Sequence, residues 1–217
     1  MQSRQSNPFS TRWVRPGAVP YLFSTGVDAA AVVARLQAAG WRGAIVGPHG
    51  SGKSTLLASL IPLIKEQNVA VQLIALHNGQ RKLPPGALAA SHQSTRRRLL
   101  VIDGYEQLSW WQRQRLAAAC RRHRWGLLIT AHAAPTDRSL PVLFRTAADL
   151  ATVQFLIDDV LPSHGGQIGH AEVAAAFQAA AGNVRETLFA LYDLYEQRRR
   201  APQEGSPQEE LVHLGAG

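Results

Sequence analysis

The sequence predicts an α/β fold, a parallel β-sheet core flanked by helices with a small C-terminal helical lid, and three observations predict it. The run Gly47-Pro48-His49-Gly50-Ser51-Gly52-Lys53-Ser54-Thr55 fits G-x-x-x-x-G-K-[ST], with apolar Ala44-Ile45-Val46 before it and helix-forming Leu56-Leu57-Ala58-Ser59-Leu60-Ile61 after it. Short apolar runs alternate with helical stretches from residue 43 to residue 144, as strands joined by crossover helices do. After Thr146 the apolar runs give way to alanine-rich helical sequence, which marks the lid.

Residues 1–24 read as an N-terminal arm. Proline, arginine and aromatic residues over 7–23 show no period, and Trp13, Tyr21 and Phe23 either anchor the arm to the core or line an adenine pocket. The core spans 25–147. It opens with a helix over 28–40, closed by Gly40, and continues with a strand over 43–46 and a helix from Lys53. Pro62 lacks an N–H and predicts a kink or an early stop in that helix. Strands follow at 70–75 and 99–102, then a helix from Ser109 with a capping-box start in Ser109-Trp110-Trp111-Gln112, and strands at 126–130 and 142–144. Trp110 and Trp111 are expected to pack. The polar stretch 77–94, with Pro84-Pro85-Gly86, reads as a surface connection. The lid spans 148–200, with helices at 149–161 and 170–200 interrupted by Pro162-Ser163-His164-Gly165-Gly166 and by Gly182-Asn183. Residues 201–217 are polar and read as a disordered tail.

Composition bounds the function. A chain of 217 residues with 46% hydrophobic content buries a sizeable core without staples. The lone Cys120 allows no disulfide framework, and with no apolar stretch near the roughly 20 residues of a membrane span the expected location is cytoplasmic, with no membrane partner. Cys120 itself reads as a small core residue. The net charge of +8 concentrates at Arg96-Arg97-Arg98, Arg121-Arg122-His123-Arg124 and Arg198-Arg199-Arg200. Nucleic acid or an acidic protein is the partner such clusters allow; arginines near helix ends also simply complement the helix dipole. No aromatic residue interleaves within these runs as a stacking platform requires.

The chemistry starts at the glycine-rich loop. Gly47, Gly50 and Gly52 let the backbone turn so that its N–H groups face a phosphate at a helix N-terminus. The phosphate-binding loop is therefore Gly47, Pro48, His49, Gly50, Ser51 and Gly52, with phosphate held by backbone N–H groups, which Pro48 lacks, rather than by side chains. Lys53 reaches the β- and γ-phosphates, Ser54 offers its hydroxyl to Mg2+, and Thr55 follows near the α-phosphate. Arg98-Leu99-Leu100-Val101-Ile102-Asp103 has the form of a Walker B strand, whose closing carboxylate holds Mg2+; it follows Lys53 by about fifty residues, a natural spacing for this pairing.

With both motifs in place the chain resembles a P-loop NTPase of the additional-strand division, an AAA+-like ATPase domain, over approximately residues 19–200. The resemblance implies ATP and Mg2+ as ligands and a carboxylate beside Asp103 that polarises the attacking water. Here that position is Gly104, and the first candidate is Glu106, which either turns to the γ-phosphate or caps the next helix. It further implies a polar sensor at the end of the following strand, Thr130 in Leu127-Leu128-Ile129-Thr130-Ala131-His132, with His132 as second candidate. Arg185 in Gly182-Asn183-Val184-Arg185-Glu186 resembles the lid arginine that touches the γ-phosphate; its alternative is a solvated helix arginine paired with an acid such as Glu186. Arg145 is a finger toward a second subunit, which would make the working unit a homo-oligomer, or a salt bridge at the lid hinge.

Three functions compete on these residues. The leading one is an ATPase or nucleotide-dependent switch, with Lys53, Glu106, Thr130 and Arg185 coupling hydrolysis to closure of sheet and lid. The second, favoured by Gly104, is a non-hydrolysing adaptor. The third is a small-molecule kinase, which the lid's lack of an arginine cluster near its hinge disfavours.

Overall fold

The strands are apolar on both sides, and the structure covers both. This computed structural model describes residues 7, 9, 20–23, 26–77, 79–89, 96–160 and 168–200, the side chains of 159 and 160 excepted. In β1 (Arg42–Val46), Ile45 joins one core cluster while Ala44 and Val46 join another. In β3 (Arg97–Asp103), Leu99 and Val101 oppose Leu100 and Ile102; in β4 (Gly126–Ala131), Leu128 opposes Leu127 and Ile129. With β2 (Val69–Ala75) and β5 (Val142–Arg145) they form a five-stranded sheet in the order β2-β3-β4-β1-β5, each neighbouring pair parallel. β4 therefore lies between the strand that feeds the glycine-rich loop and the strand that ends in Asp103.

One face of the sheet is covered by α1 (Ala29–Ala38) and α2 (Lys53–Glu66), which bury Val32, Val33, Leu36, Leu56, Leu57, Leu60 and Ile64. Asp28 caps α1, its carboxylate accepting the Ala31 N–H at 2.7 Å. The other face is covered by α3 (Trp110–His123), through Leu116 and Cys120, and by Ala87 of the connection after β2. A third cluster belongs to α4 (Leu150–Phe155), which continues as one π-helical turn at Leu156–Val160, to α5 (His170–Ala179) and to α6 (Val184–Arg200). Phe9 of the N-terminal arm is buried in that cluster edge-on to Tyr195, and Asn7 donates to the Tyr192 carbonyl and to Glu196.

Two expectations are corrected. Pro62 does not stop α2, which runs on to Glu66 with the proline inside it. Pro62 is exposed on the outer side of α2, so the loss of one hydrogen bond, about 3 kcal/mol in a helix interior, is outweighed by Leu60 and Ile64 buried on the inner side. Trp110 and Trp111 do not pack into the core: they are 60% and 71% exposed and stack edge-on against each other, ring centroids 4.5 Å apart. The buried stripe of α3 runs through Leu116 and Cys120, and helical spacing turns positions 110 and 111 away from it. Trp13, the interruption at 162–166 and the tail 201–217 lie outside the described residues. Among the described residues no helix is long and apolar enough to cross a membrane.

Candidate phosphate-loop site

The C-terminal ends of β1, β3, β4 and β5 meet at one point, where an open parallel sheet places its ligands. The loop after β1 begins with Gly47, whose N–H donates to the Ala131 carbonyl at 3.1 Å, and ends with Gly52, a left-handed residue (φ 86°) that starts α2. Gly50 is also left-handed, and a Cβ there would overlap the side chain of Asn183, which caps α6. Tyr21 lies against Gly52 and forms an aromatic cluster with Phe23 and Phe144, so these arm aromatics anchor the chain beside the loop. Ser51 donates to the Pro48 carbonyl at 2.8 Å and shares a 2.6 Å hydrogen bond with Thr146, the residue after β5. The loop is thus fixed from β4, β5 and the lid.

Lys53 is only 9% exposed and donates its ammonium to the Gly47 and Pro48 carbonyls at 2.7 and 2.6 Å. Burial lowers its pKa, opposed first by Glu106 and then by Asp103. A cation folded over its own loop and attracted by two carboxylates is poised for an anion. Asp103, at the end of β3, accepts the Thr130 hydroxyl at 2.6 Å, and Thr130 in turn accepts the Gly104 N–H at 2.9 Å. Thr130 is fully buried and both roles of its hydroxyl are used, which fixes one oxygen of Asp103.

Gly104 is left-handed (φ 82°), and a Cβ on it would stand 2.8 Å from the Leu76 carbonyl oxygen. The turn has no room for a side chain beside Asp103. Glu106, in the short 3-10 turn Tyr105–Gln107, supplies the next carboxylate. It does not cap α3, a role taken by Ser109, whose hydroxyl accepts the Gln112 N–H at 3.4 Å. Its Oε1 lies 3.1 Å from His132 Nε2, and its Oε2 is buried with no hydrogen-bond partner among the described residues. His132 packs on His49 of the loop, ring centroids 3.8 Å apart. The His132 pKa is lowered by burial, raised by Glu106 and lowered again by His49 and Lys53.

The structure therefore brings together the loop 47–55, Asp103, Glu106 and Thr130. Arg185, in the first turn of α6, and Arg145, at the end of β5, are exposed, and it is Asn183 that meets the loop. The residues that could hold Mg2+ are one hydroxyl, Ser54, and one carboxylate, Asp103; among the described residues no three His, Cys, Asp or Glu side chains are grouped to hold a metal ion. A hard cation that keeps waters and shares phosphate oxygens fits such a sparse set, and the unpartnered Glu106 oxygen fits a site completed by a ligand. Sequence reasoning missed Thr146, whose only signal is its place after β5, and the link from His49 through His132 to Glu106, residues far apart in the chain.

No protein-family model matches the sequence, and no match to a curated protein is found. Among solved structures the chain is similar to the RuvB Holliday junction branch migration motor of Thermotoga maritima, with 18% identity and a TM-score of 0.48 over 75% of this chain and 58% of that one. It is also similar to PCH-2 of C. elegans, with 11% identity and a TM-score of 0.39 over 78% and 67% of the two chains. The chain thus spans little more than half the length of RuvB. Independently of those similarities, a five-stranded parallel sheet with a glycine-rich loop after β1, an acidic end to β3 and a strand β4 between them gives this chain a P-loop-type α/β fold.

Proposed function

We propose that the protein binds Mg-ATP on the loop 47–55 and hydrolyses it, with the change in phosphate contacts altering how the lid sits on the sheet. The observation that carries this reading is Glu106: a carboxylate with one buried, unpartnered oxygen, acting on the same Lys53 that is to meet the γ-phosphate. Lys53 leaves the Gly47 and Pro48 carbonyls for phosphate oxygens, and the loop N–H groups hold the remaining charge. Bound Mg2+, held by Ser54 and Asp103, supplies further charge neutralisation for the phosphates. Glu106 accepts a proton from the attacking water, whose oxygen bonds to the γ-phosphorus as the bridging oxygen leaves with ADP. Thr130 acts by fixing Asp103, and Asn183 and Arg185 of α6 carry the state of the loop to the lid.

A second reading, an adaptor that binds ATP without turnover, is favoured by Gly104, where the turn excludes the usual carboxylate. No comparable observation favours a kinase.

For a partner, we propose nucleic acid at the opposite end of the sheet. Two of the basic clusters meet there: Arg97, Arg121 and Arg124 line, with Arg42 and Trp125, a cleft of about 400 Å3 in which, among the described residues, Asp137 is the one acid. Trp125, just after the second cluster, stacks with His123 and lies under Arg98. The third cluster is occupied within the lid, Arg198 with Glu172, and Arg199 and Arg200 with Glu196.

The test is steady-state phosphate release from Mg-ATP at rising protein concentration, with and without single- or double-stranded DNA, against Lys53→Ala. Release that Lys53→Ala abolishes supports the ATPase; stimulation by DNA supports the partner, and stimulation by protein concentration supports a homo-oligomer with Arg145 in trans. Tight Mg-ATP binding with no release under any condition replaces the ATPase with the adaptor.

A further inference from the structure

The group on Glu106 is a histidine, and that histidine is itself in contact with the phosphate loop. His132 Nε2 is 3.1 Å from Glu106 Oε1, while Oε2 remains buried and unpartnered. Of the two oxygens one is therefore fixed and the other kept for a second donor. The same imidazole lies 3.8 Å, centroid to centroid, from His49. His49 occupies a variable position of the phosphate loop, between Pro48 and Gly50.

We infer that His132 is the positioning residue of Glu106: it donates Nε2–H to one carboxylate oxygen so that the other faces the attacking water, and through His49 it senses the phosphate loop. The inference rests on the reading of Glu106 as the group that takes the water's proton. Glu106 stands on a three-residue turn after a left-handed glycine, and a carboxylate on so short a support needs a second anchor to hold a reactive geometry. Thr130 cannot provide it, since its hydroxyl is used by Asp103 and Gly104. A loop that moves when phosphate replaces the carbonyls on Lys53 carries His49 with it, and His132, in contact with that ring, passes the movement to Glu106.

Three groups face His132: Glu106 from the turn after β3, and His49 and Lys53 from the loop and the start of α2. Burial, opposed by Glu106 and aided by His49 and Lys53, holds the His132 pKa below the ordinary histidine range, and the 3.1 Å approach of Nε2 to the carboxylate is what selects the Nε2–H tautomer of the neutral ring. Acidification turns the hydrogen bond into an ion pair that stabilises ionised Glu106 and weakens it as a base. Turnover is accordingly present above the His132 pKa and falls as pH drops through it.

The experiment compares His132→Ala, His132→Gln and Glu106→Gln in the full chain by turnover and by histidine 15N NMR. Expected are a loss of turnover with retained Mg-ATP affinity in Glu106→Gln, and a fall in kcat of about 100-fold with little change in KM in His132→Ala, the scale of a misplaced reacting group. His132→Gln, whose amide can donate to the same oxygen, recovers most of kcat and loses the acidic limb of the pH profile. Wild-type kcat in His132→Ala, or no recovery by glutamine, overturns the inference while leaving the ATPase reading intact. Full turnover in Glu106→Gln overturns the role of Glu106 itself. The NMR arm does not depend on turnover: the His132 signals should show the Nε2–H tautomer and titrate at lower pH in Glu106→Gln, and an unchanged titration overturns the contact.

Discussion

At the C-terminal ends of the strands carboxylates, hydroxyls and imidazoles bind one another; at the N-terminal ends the polar side chains are mostly arginines, held by carbonyls and neutral side chains or exposed. Asp103, Thr130 and Gly104 form one chain of hydrogen bonds, Glu106, His132 and His49 another, and Lys53 lies within the field of both carboxylates. At the other end Arg42 is held by Ser139, Arg98 by the Ala89 carbonyl and the Gln72 side chain, and Arg97, Arg121 and Arg124 are exposed. The first end has carboxylates, imidazoles and one buried ammonium, the means of moving a proton and holding phosphate. The second has guanidinium groups, a surface that attracts anions without chemistry. Charge alone therefore misleads: Arg97, Arg121 and Arg124 lie at the end of the sheet opposite the glycine-rich loop.

This comparison can be broken at either end. The largest effect is expected at Thr130. Thr130→Val keeps the shape but leaves the Gly104 N–H and an Asp103 oxygen without partners, at a cost of about 1–3 kcal/mol for a buried unsatisfied group, with turnover lost as Asp103 loosens. Urea unfolding and phosphate release read the two consequences. Next is Gly104→Glu, which places a carboxylate beside Asp103. Because the residue is left-handed and its Cβ meets the Leu76 carbonyl, the variant should lose on the order of 1–3 kcal/mol and gain no activity. An increase in turnover would show that the turn adapts and that Glu106 is dispensable.

At the opposite end, the double variant Arg121→Glu with Arg124→Glu should weaken DNA binding and reduce its log–log salt slope by about two, one for each lost phosphate contact, with unstimulated ATP turnover unchanged. The smallest effect concerns Cys120, between the sheet and α3. Burial raises its thiol to about 11, so iodoacetamide at pH 8 should label it only after unfolding. Rapid labelling of the native protein would mean that α3 opens from the sheet.

The two ends also differ in how legible they were. The loop 47–55 and Asp103 are read from contiguous motifs, because backbone N–H groups and a strand-end carboxylate need neighbours in sequence. The strands follow from apolar runs, with boundaries one residue short at Arg42, Val69, Asp103, Ala131 and Arg145 and two residues short at the start of β3, Arg97. What depends on contacts between distant residues was not legible. That Glu106 turns to His132 rather than capping α3, that Asn183 abuts Gly50, and that two arginine clusters converge around Trp125 are consequences of strand order. Trp110 and Trp111 lie off the buried stripe of α3, a position that their aromatic type does not disclose.

The most direct test of the central claim is a calorimetric titration of Mg-ATP into the wild-type protein, Lys53→Ala, and the Arg121→Glu, Arg124→Glu double variant. Binding that is lost in Lys53→Ala and unchanged in the arginine double variant is the expected result, with the nucleotide held at the C-terminal ends of the strands. Full affinity in Lys53→Ala, or affinity lost with the arginines instead, would place the nucleotide elsewhere and contradict it.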